Sequence, residues 1–239
     1  MKIFPAIDLS GQKVVRLVRG DYDKMTVYGE DPVKTALEFE AAGAKYLHVV
    51  DLDGAKSGSR ENLSVVEQIL KNTKLSVEIG GGIRNMEAVR DYLNAGAMRV
   101  IIGTAAVKDP DFLAAALKQY GDKIAVGVDF KNGQTAIDGW TKAAGDAFDF
   151  CRKLADMGVG ALICTDIAKD GMLQGPNQEL YRQLVQLKTE IIASGGVSGL
   201  EDLKILKQTG VGGAIVGKAL YTGAVDLKEA LLLECRERS

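Results

Sequence analysis

Two short apolar runs in this chain end in an aspartate, Ala6-Ile7-Asp8-Leu9 and Gly127-Val128-Asp129-Phe130. Two opposed carboxylates suit proton transfer, one as base and one as acid. Other turns suit an anion. Ile79-Gly80-Gly81-Gly82-Ile83-Arg84 and Ala193-Ser194-Gly195-Gly196-Val197 place glycines directly after an apolar run. Glycine accepts positive φ and lets a ligand approach the main chain, so such a turn offers backbone N–H groups to phosphate. Val100-Ile101-Ile102-Gly103-Thr104 and Ala214-Ile215-Val216-Gly217-Lys218 form a second pair of this kind. Taken singly, an aspartate ending a strand caps a turn, and glycine after a strand is a plain turn. Chemistry is favoured because each feature occurs twice.

The spacing of the copies is regular. Gly195 follows Gly81, Gly217 follows Gly103 and Thr165 follows Asp51 by 114 residues each, and Asp129 follows Asp8 by 121. The chain reads as two similar halves, about 1–121 and 122–239, with the seven-residue difference assigned to the loop after Asp129.

The elements that must position these residues alternate strand and helix. Strands are expected near 3–8, 45–51, 75–79, 99–102, 124–129, 161–165, 191–194 and 213–216, with helices between them. Asp31-Pro32 and Asp109-Pro110 each read as a helix cap followed by proline in the first turn. Nearly continuous apolar strands alternating with helices indicate a parallel sheet covered on its faces. Eight such units make a single-domain α/β (β/α)8 TIM barrel, and the twofold repeat favours closure over an open doubly wound sheet. The long segment from Leu9 to Glu30 reads as a functional loop with a hairpin through Lys13–Leu17.

In such a barrel the active site lies at the C-terminal ends of the strands. Asp8 and Asp129, on strands one and five, then face each other across the mouth. Ser194, Gly195, Gly196, Gly217 and Lys218 form one phosphate site, and Gly81, Gly82, Gly103 and Thr104 form its repeat. Two phosphate sites related by a twofold axis imply a substrate with a phosphate at each end. Arg16 and Arg19, in the first loop, are placed to close over a phosphate. Trp140, the only tryptophan, sits in a long loop after Asp129, where it either stacks on a heteroaromatic ring or packs on the barrel rim. His48 is the only histidine and is read as packed or orienting. Asp51 and Asp53 lack histidine partners for a metal, so none is expected. Nucleophilic catalysis finds no support, and Gly80-Gly81-Gly82 lacks the spacing of a dinucleotide fingerprint.

Hydrophobic residues make up 46%, charged residues 26% and the net charge is −2, a balance that gives no case for a nucleic-acid or membrane partner. Cys151, Cys164 and Cys235 show no metal spacing and suit a reducing compartment. No apolar run approaches the ~20 residues of a membrane span. The residues after Lys2 read as a buried strand, not a signal peptide. A cytoplasmic monomer is expected.

Pro5-Ala6-Ile7-Asp8-Leu9, Val15-Arg16-Leu17 with Arg19-Gly20, His48-Val49-Val50-Asp51-Leu52-Asp53-Gly54-Ala55, Gly80-Gly81-Gly82-Ile83-Arg84, Gly139-Trp140 and Asp170-Gly171-Met172-Leu173-Gln174-Gly175-Pro176-Asn177 stand in order along the chain. Together they resemble the phosphoribosylformimino-aminoimidazole-carboxamide ribotide isomerases of histidine biosynthesis. The resemblance covers nearly the whole chain. It implies an Amadori rearrangement of an N-linked aminoaldose to an aminoketose on a bis-phosphorylated substrate, without a cofactor. It also implies that Asp8 is the general base, Asp129 the general acid, Thr165 a polar helper and Trp140 a residue over the substrate. Arg84 joins the substrate-binding residues, with His48, Asp51 and Asp170 in support.

Three rivals stand beside this reading. The related cyclase ends its first strand in Cys-Leu-Asp-Val, whereas this chain has Ala6-Ile7-Asp8-Leu9. A bifunctional isomerase would also act on phosphoribosylanthranilate, the difference lying in the loops around Arg19, Arg84 and Trp140. A non-catalytic barrel would bind the bis-phosphate without converting it. Cys164 stands before Thr165 where an aromatic residue is expected, a position read as packing only.

Overall fold

The structure is a computed structural model, and it describes residues 1–18 and 20–234. Twelve strands are present among them: β1 (Lys2–Ser10), β2 (Lys13–Val18), β3 (Asp21–Gly29), β4 (Tyr46–Asp51), β5 (Ser76–Gly80), β6 (Arg99–Ile102), β7 (Ile124–Lys131), β8 (Gln134–Ile137), β9 (Lys142–Asp146), β10 (Ala161–Asp166), β11 (Glu190–Ser194) and β12 (Gly213–Val216). Eight of them, β1, β4, β5, β6, β7, β10, β11 and β12, pair in parallel in that order, and β12 pairs back to β1. The chain is a single-domain (β/α)8 barrel.

Alternation along each strand divides two cores. Phe4, Ala6, Ile101, Ala125, Ala161, Ile163, Ile192 and Ile215 fill the barrel interior. Their neighbours one residue on, such as Ile3, Ile7, Val100, Ile124, Leu162 and Ala214, belong to the larger cluster under the helices. Cys164 is buried in that outer cluster, the packing position expected of it. Fully burying one such aliphatic side chain stabilises the fold by roughly 1.5–3 kcal/mol.

The helices follow from local chemistry. Asp31 accepts a hydrogen bond from the Lys34 N–H at the start of helix Pro32–Ala41, and Asp109 does the same for Phe112 at the start of helix Pro110–Tyr120. Helix Leu63–Asn72 buries Val65, Val66 and Ile69, an i, i+1, i+4 stripe on one face.

The first strand of each half leads into an antiparallel excursion. β2 pairs with β1, placing Val15 opposite Asp8, and β8 pairs with β7, placing Ala136 opposite Asp129. The two-residue turns Gly11-Gln12 and Asn132-Gly133 have positive φ at both positions, the backbone that tight hairpins require. The seven extra residues do not sit after Asp129. From Asp8 to the first helical residue Pro32 is 32 − 8 = 24 positions, and from Asp129 to Ala147 only 147 − 129 = 18. An offset that falls from 121 to 114 means a shorter second half, so the longer excursion follows Asp8 and holds the extended strand β3.

Candidate active site

Asp8 shares the inward face of β1 with Phe4 and Ala6 and so reaches the C-terminal mouth. The excursion turns the chain back so that Arg16, on β2, meets it. Arg16 Nη1 donates to Asp8 Oδ2 at 2.7 Å, with both side chains about one-seventh exposed (16% and 13%). Burial opposes the Arg16 charge, but Asp8, Tyr221 and Asp170 outweigh it, so the guanidinium is held firmly charged. The guanidinium carbon lies 5.7 Å from the centre of the Tyr221 ring, and a Cβ on Gly217 would overlap the guanidinium. Arg16 thus spans from Asp8 to the glycine turn after β12, and its buried Nε has no hydrogen-bond partner.

Asp129 occupies the matching place on β7 with different neighbours. The Trp140 indole N–H donates to Asp129 Oδ2 at 2.7 Å, and Thr165, paired in register on β10, brings its hydroxyl to the same carboxyl. Burial pushes the Asp129 pKa up, and these two hydrogen bonds restrain the rise without cancelling it. Trp140 holds φ +70, and its ring lies against Gly20, where a Cβ would come within 2.6 Å of it. The turns of the two excursions therefore meet over the mouth, and only glycine fits at position 20.

A third carboxyl joins this site. Burial, with Asp8 and Asp129 adding to it, pushes Asp170 up to about 6 although Arg16 pulls the other way. Nearby, Lys218 Nζ donates to the Gly171 carbonyl at 2.8 Å. The glycine turns have a structural reason of their own. Gly81 and Gly82 have φ +100 and +75, and a Cβ on either would overlap the main chain of Asp51 or Gly54. A Cβ on Gly196 would likewise overlap the Gly175 main chain, and one on Gly195 would crowd the Asp166 carbonyl. Gly103, in contrast, faces open space, and beside it Thr104 Oγ1 accepts the Asp138 N–H at 3.1 Å.

Two brackets hold the neighbouring loops. Asn62 Nδ2 donates to Asp51 Oδ1 at 2.7 Å, and Asn177 Nδ2 donates to Asp166 Oδ2 at 2.7 Å, the partners standing eleven positions apart in both. Asp51 therefore corresponds in structure to Asp166, whereas Thr165 points inward beside Asp129. The shared Asp-to-Asn spacing is a sequence signal that the strand-end comparison passes over. Asp53 adds bonds from Ser10, Gly11 and Asn62, tying the first excursion to its neighbour loop.

Deeper in the barrel, His48 Nδ1 meets Glu78 Oε1 at 2.6 Å, and Glu78 Oε2 accepts from Arg99 at 2.6 Å. Burial alone would raise the Glu78 pKa, yet His48 and Arg99 bring it below the ordinary value. Arg99 also pairs with Glu190, which holds Lys2. His48 is thus tied into an internal ion network. Arg84 is exposed and donates to the Ala55 carbonyl at 2.6 Å. Arg19 and Cys235 lie outside the described residues.

Among the described residues, no group of three or more His, Cys, Asp or Glu side chains could hold a metal ion. Among them also, no helix is long and apolar enough to cross a membrane. Residues 2–226 match the model of a family described as histidine biosynthesis protein. A protein of Ruminiclostridium cellulolyticum is 51% identical over 97% of this chain and 99% of its own length. Relatives in Clostridium kluyveri and Acetivibrio thermocellus are 48% and 46% identical, each over 97% of this chain and 98% of their own. All three are named 1-(5-phosphoribosyl)-5-((5-phosphoribosylamino)methylideneamino) imidazole-4-carboxamide isomerase.

Proposed function

The chain belongs to the histidine biosynthesis protein family, and from that premise we infer that it is the isomerase converting the N-linked bis-phosphorylated aminoaldose of that pathway to its aminoketose. The observation that carries the reading is the pair Asp8 and Asp129, at equivalent places on β1 and β7, one in an ion pair and one among neutral donors.

The rearrangement is proton transfer throughout. The acid delivers a proton to the furanose ring oxygen as the ring opens to a Schiff base. Asp8 then removes the proton on C2, giving an enol that tautomerises to the ketone. An ionised carboxylate suits the base, and a carboxyl that retains its proton suits the acid. Ordinary aspartate has a pKa of ~3.9, so the upward push on Asp129 runs in the direction an acid needs. Thr165 orients that carboxyl, and Trp140 restrains it in the free protein. Asp170, raised to about 6, supports a second reading in which it supplies the proton and Asp129 orients the substrate.

The two phosphates are assigned to the turns of Gly81, Gly82, Gly103 and Thr104 and of Ser194, Gly195, Gly196, Gly217 and Lys218. The open space at Gly103 and the Arg16 guanidinium with its free Nε at Gly217 support this. Proton transfer of this kind calls for no cofactor. The halves are taken to join at residues 121–122, between the helix ending at Tyr120 and β7. The barrel closes on its own strands, which supports a monomer, and the buried free thiols of Cys151 and Cys164 suit the cytoplasm.

The test is conversion of the aminoaldose, followed by absorbance with the cyclase and glutaminase coupled to draw off product, with phosphoribosylanthranilate run in parallel. Conversion of the aminoaldose alone is the expected result. Conversion of both would extend the same acids to a second substrate. Conversion of neither by folded protein would overturn the reading.

A further inference from the structure

The loop that carries Trp140 is held in an unusual backbone. Asp138, Gly139 and Trp140 have φ of +55, +62 and +70, three successive residues in the left-handed region. Two of them bear side chains, for which this region is disfavoured, so the turn persists only where its surroundings over-determine it. Asp138 supplies most of those surroundings. Its N–H donates to Thr104 Oγ1 at 3.1 Å, and its carbonyl accepts from Thr141 Oγ1 at 2.8 Å. Its carboxylate meets Lys108 Nζ at 2.6 Å and Lys142 Nζ at 3.1 Å. Lys108 and Thr104 both lie on the short helix after β6, in the other half of the barrel. At the far end of the turn, Trp140 covers Asp129.

We propose that Asp138 is a positioning residue, a latch that ties the Trp140 turn to Lys108 and Thr104 and so keeps Asp129 covered until substrate arrives. The latch is built to open. Lys108 is 52% exposed and Lys142 68%, and exposed ion pairs are weak and screened by salt. When the turn opens, the indole leaves Asp129 and the half-covered carboxyl becomes fully accessible to the substrate. The free protein is then divided between covered and open forms, and substrate binds only the open one, so its apparent affinity falls by the open fraction. The mouth contact is at stake whichever carboxyl supplies the proton. The consequence for KM rests on the isomerase reading, whereas the covering of Asp129 does not.

Trp140 is the only tryptophan, so fluorescence excited beyond the tyrosine band reports this turn alone. The experiment is acrylamide quenching of the free protein in wild type, Asp138→Asn and Lys108→Met, with KM for the aminoaldose measured on the same preparations. Asparagine keeps the tolerance for left-handed φ and removes only the charge. Each variant is expected to raise the quenching constant about twofold or more, the double variant no further than the stronger single one. Salt at 0.5 M should move the wild type the same way. KM is expected to fall about two- to fivefold, without a rise in kcat. Unchanged quenching in both variants would overturn the latch, as would raised quenching with a raised KM. A protein that converts no aminoaldose but shows the quenching change would overturn the isomerase reading and leave the latch standing. Lys108 is a surface residue, so Lys108→Met tests the point even where Asp138→Asn fails to fold.

Discussion

The two halves of the barrel share a frame and differ in what they put around its acid. Each begins with a strand ending in an inward aspartate and turns back through a two-residue hairpin. Each then brackets the next strand end with an aspartate and an asparagine eleven residues on. In the first half the partner returned to the acid is the Arg16 guanidinium; in the second it is the Trp140 indole, helped by Thr165. One carboxyl faces a cation and the other faces neutral donors in a half-buried setting. On the proposed reading the same backbone would serve opposite proton-transfer roles, with the division made by the side chains returned to each acid. The glycine turns differ too: the Gly217 turn is covered by Arg16, whereas the Gly103 turn is open.

The comparison breaks most visibly if the acids are neutralised one at a time. Asp8→Asn and Asp129→Asn are each expected to lower turnover by roughly 10²–10⁴-fold in the coupled assay. If Asp129→Asn keeps near-normal turnover while Asp170→Asn loses it, the acid role belongs to Asp170. Arg16→Met should come next. It leaves Asp8 without its cation and Gly217 without its cover, and about 10²-fold in kcat/KM is expected to go, with folded protein by circular dichroism. Arg16→Lys should restore only part, because a single ammonium does not reproduce the fork.

Asp170 sharpens the account through stability. Its folded pKa of about 6 lies above the ordinary value, so the native state binds the extra proton between about pH 4 and 6. Stability should fall as pH rises through that window, and the penalty is absent below it. Asp170→Asn should remove the slope and stabilise the protein at pH 7 by about 2 kcal/mol, allowing for solvent at the open mouth. Urea unfolding at pH 4 and pH 7 checks both signs. The smallest contrast concerns the brackets. Asn62 is fully buried and donates to both Asp51 and Asp53, while Asn177 donates to Asp166 and accepts the Leu180 N–H as a helix cap. Asn62→Ala should cost about 2–3 kcal/mol and Asn177→Ala, which also loses a helix cap, about 1–2, by the same unfolding measurement.

Much of the frame was legible in the residues. The apolar runs and the Asp-Pro caps required only local chemistry, the 114-residue repeat marked the halves, and the placement of Asp8 and Asp129 at the mouth followed from the strand ends where they stand. Thr165 was named beside Asp129 through the resemblance, but the contacts of Arg16 and Trp140 with the acids were not legible. Arg16 and Trp140 reach the mouth along antiparallel excursions whose register depends on turn geometry, which no apolar pattern marks. Arg16 was expected over a phosphate, and it lies at once against Asp8 and Gly217. The longer excursion was assigned to the wrong half because an offset difference has a sign, and a smaller offset means a shorter copy. Asn132-Gly133 is a hairpin signal that was there to be read.

The central claim is that the second half holds its aspartate in a protonation-prone setting tuned by Trp140. The direct measurement is a pH titration of the Asp129 side-chain carbon by carboxyl-selective NMR, in wild type and in Trp140→Phe. Asp129 should titrate above the ordinary ~4, and losing the indole N–H, which favours the charged form, should move it further up. An Asp129 that titrates at or below the ordinary value, or one that falls when the N–H is removed, would contradict the account.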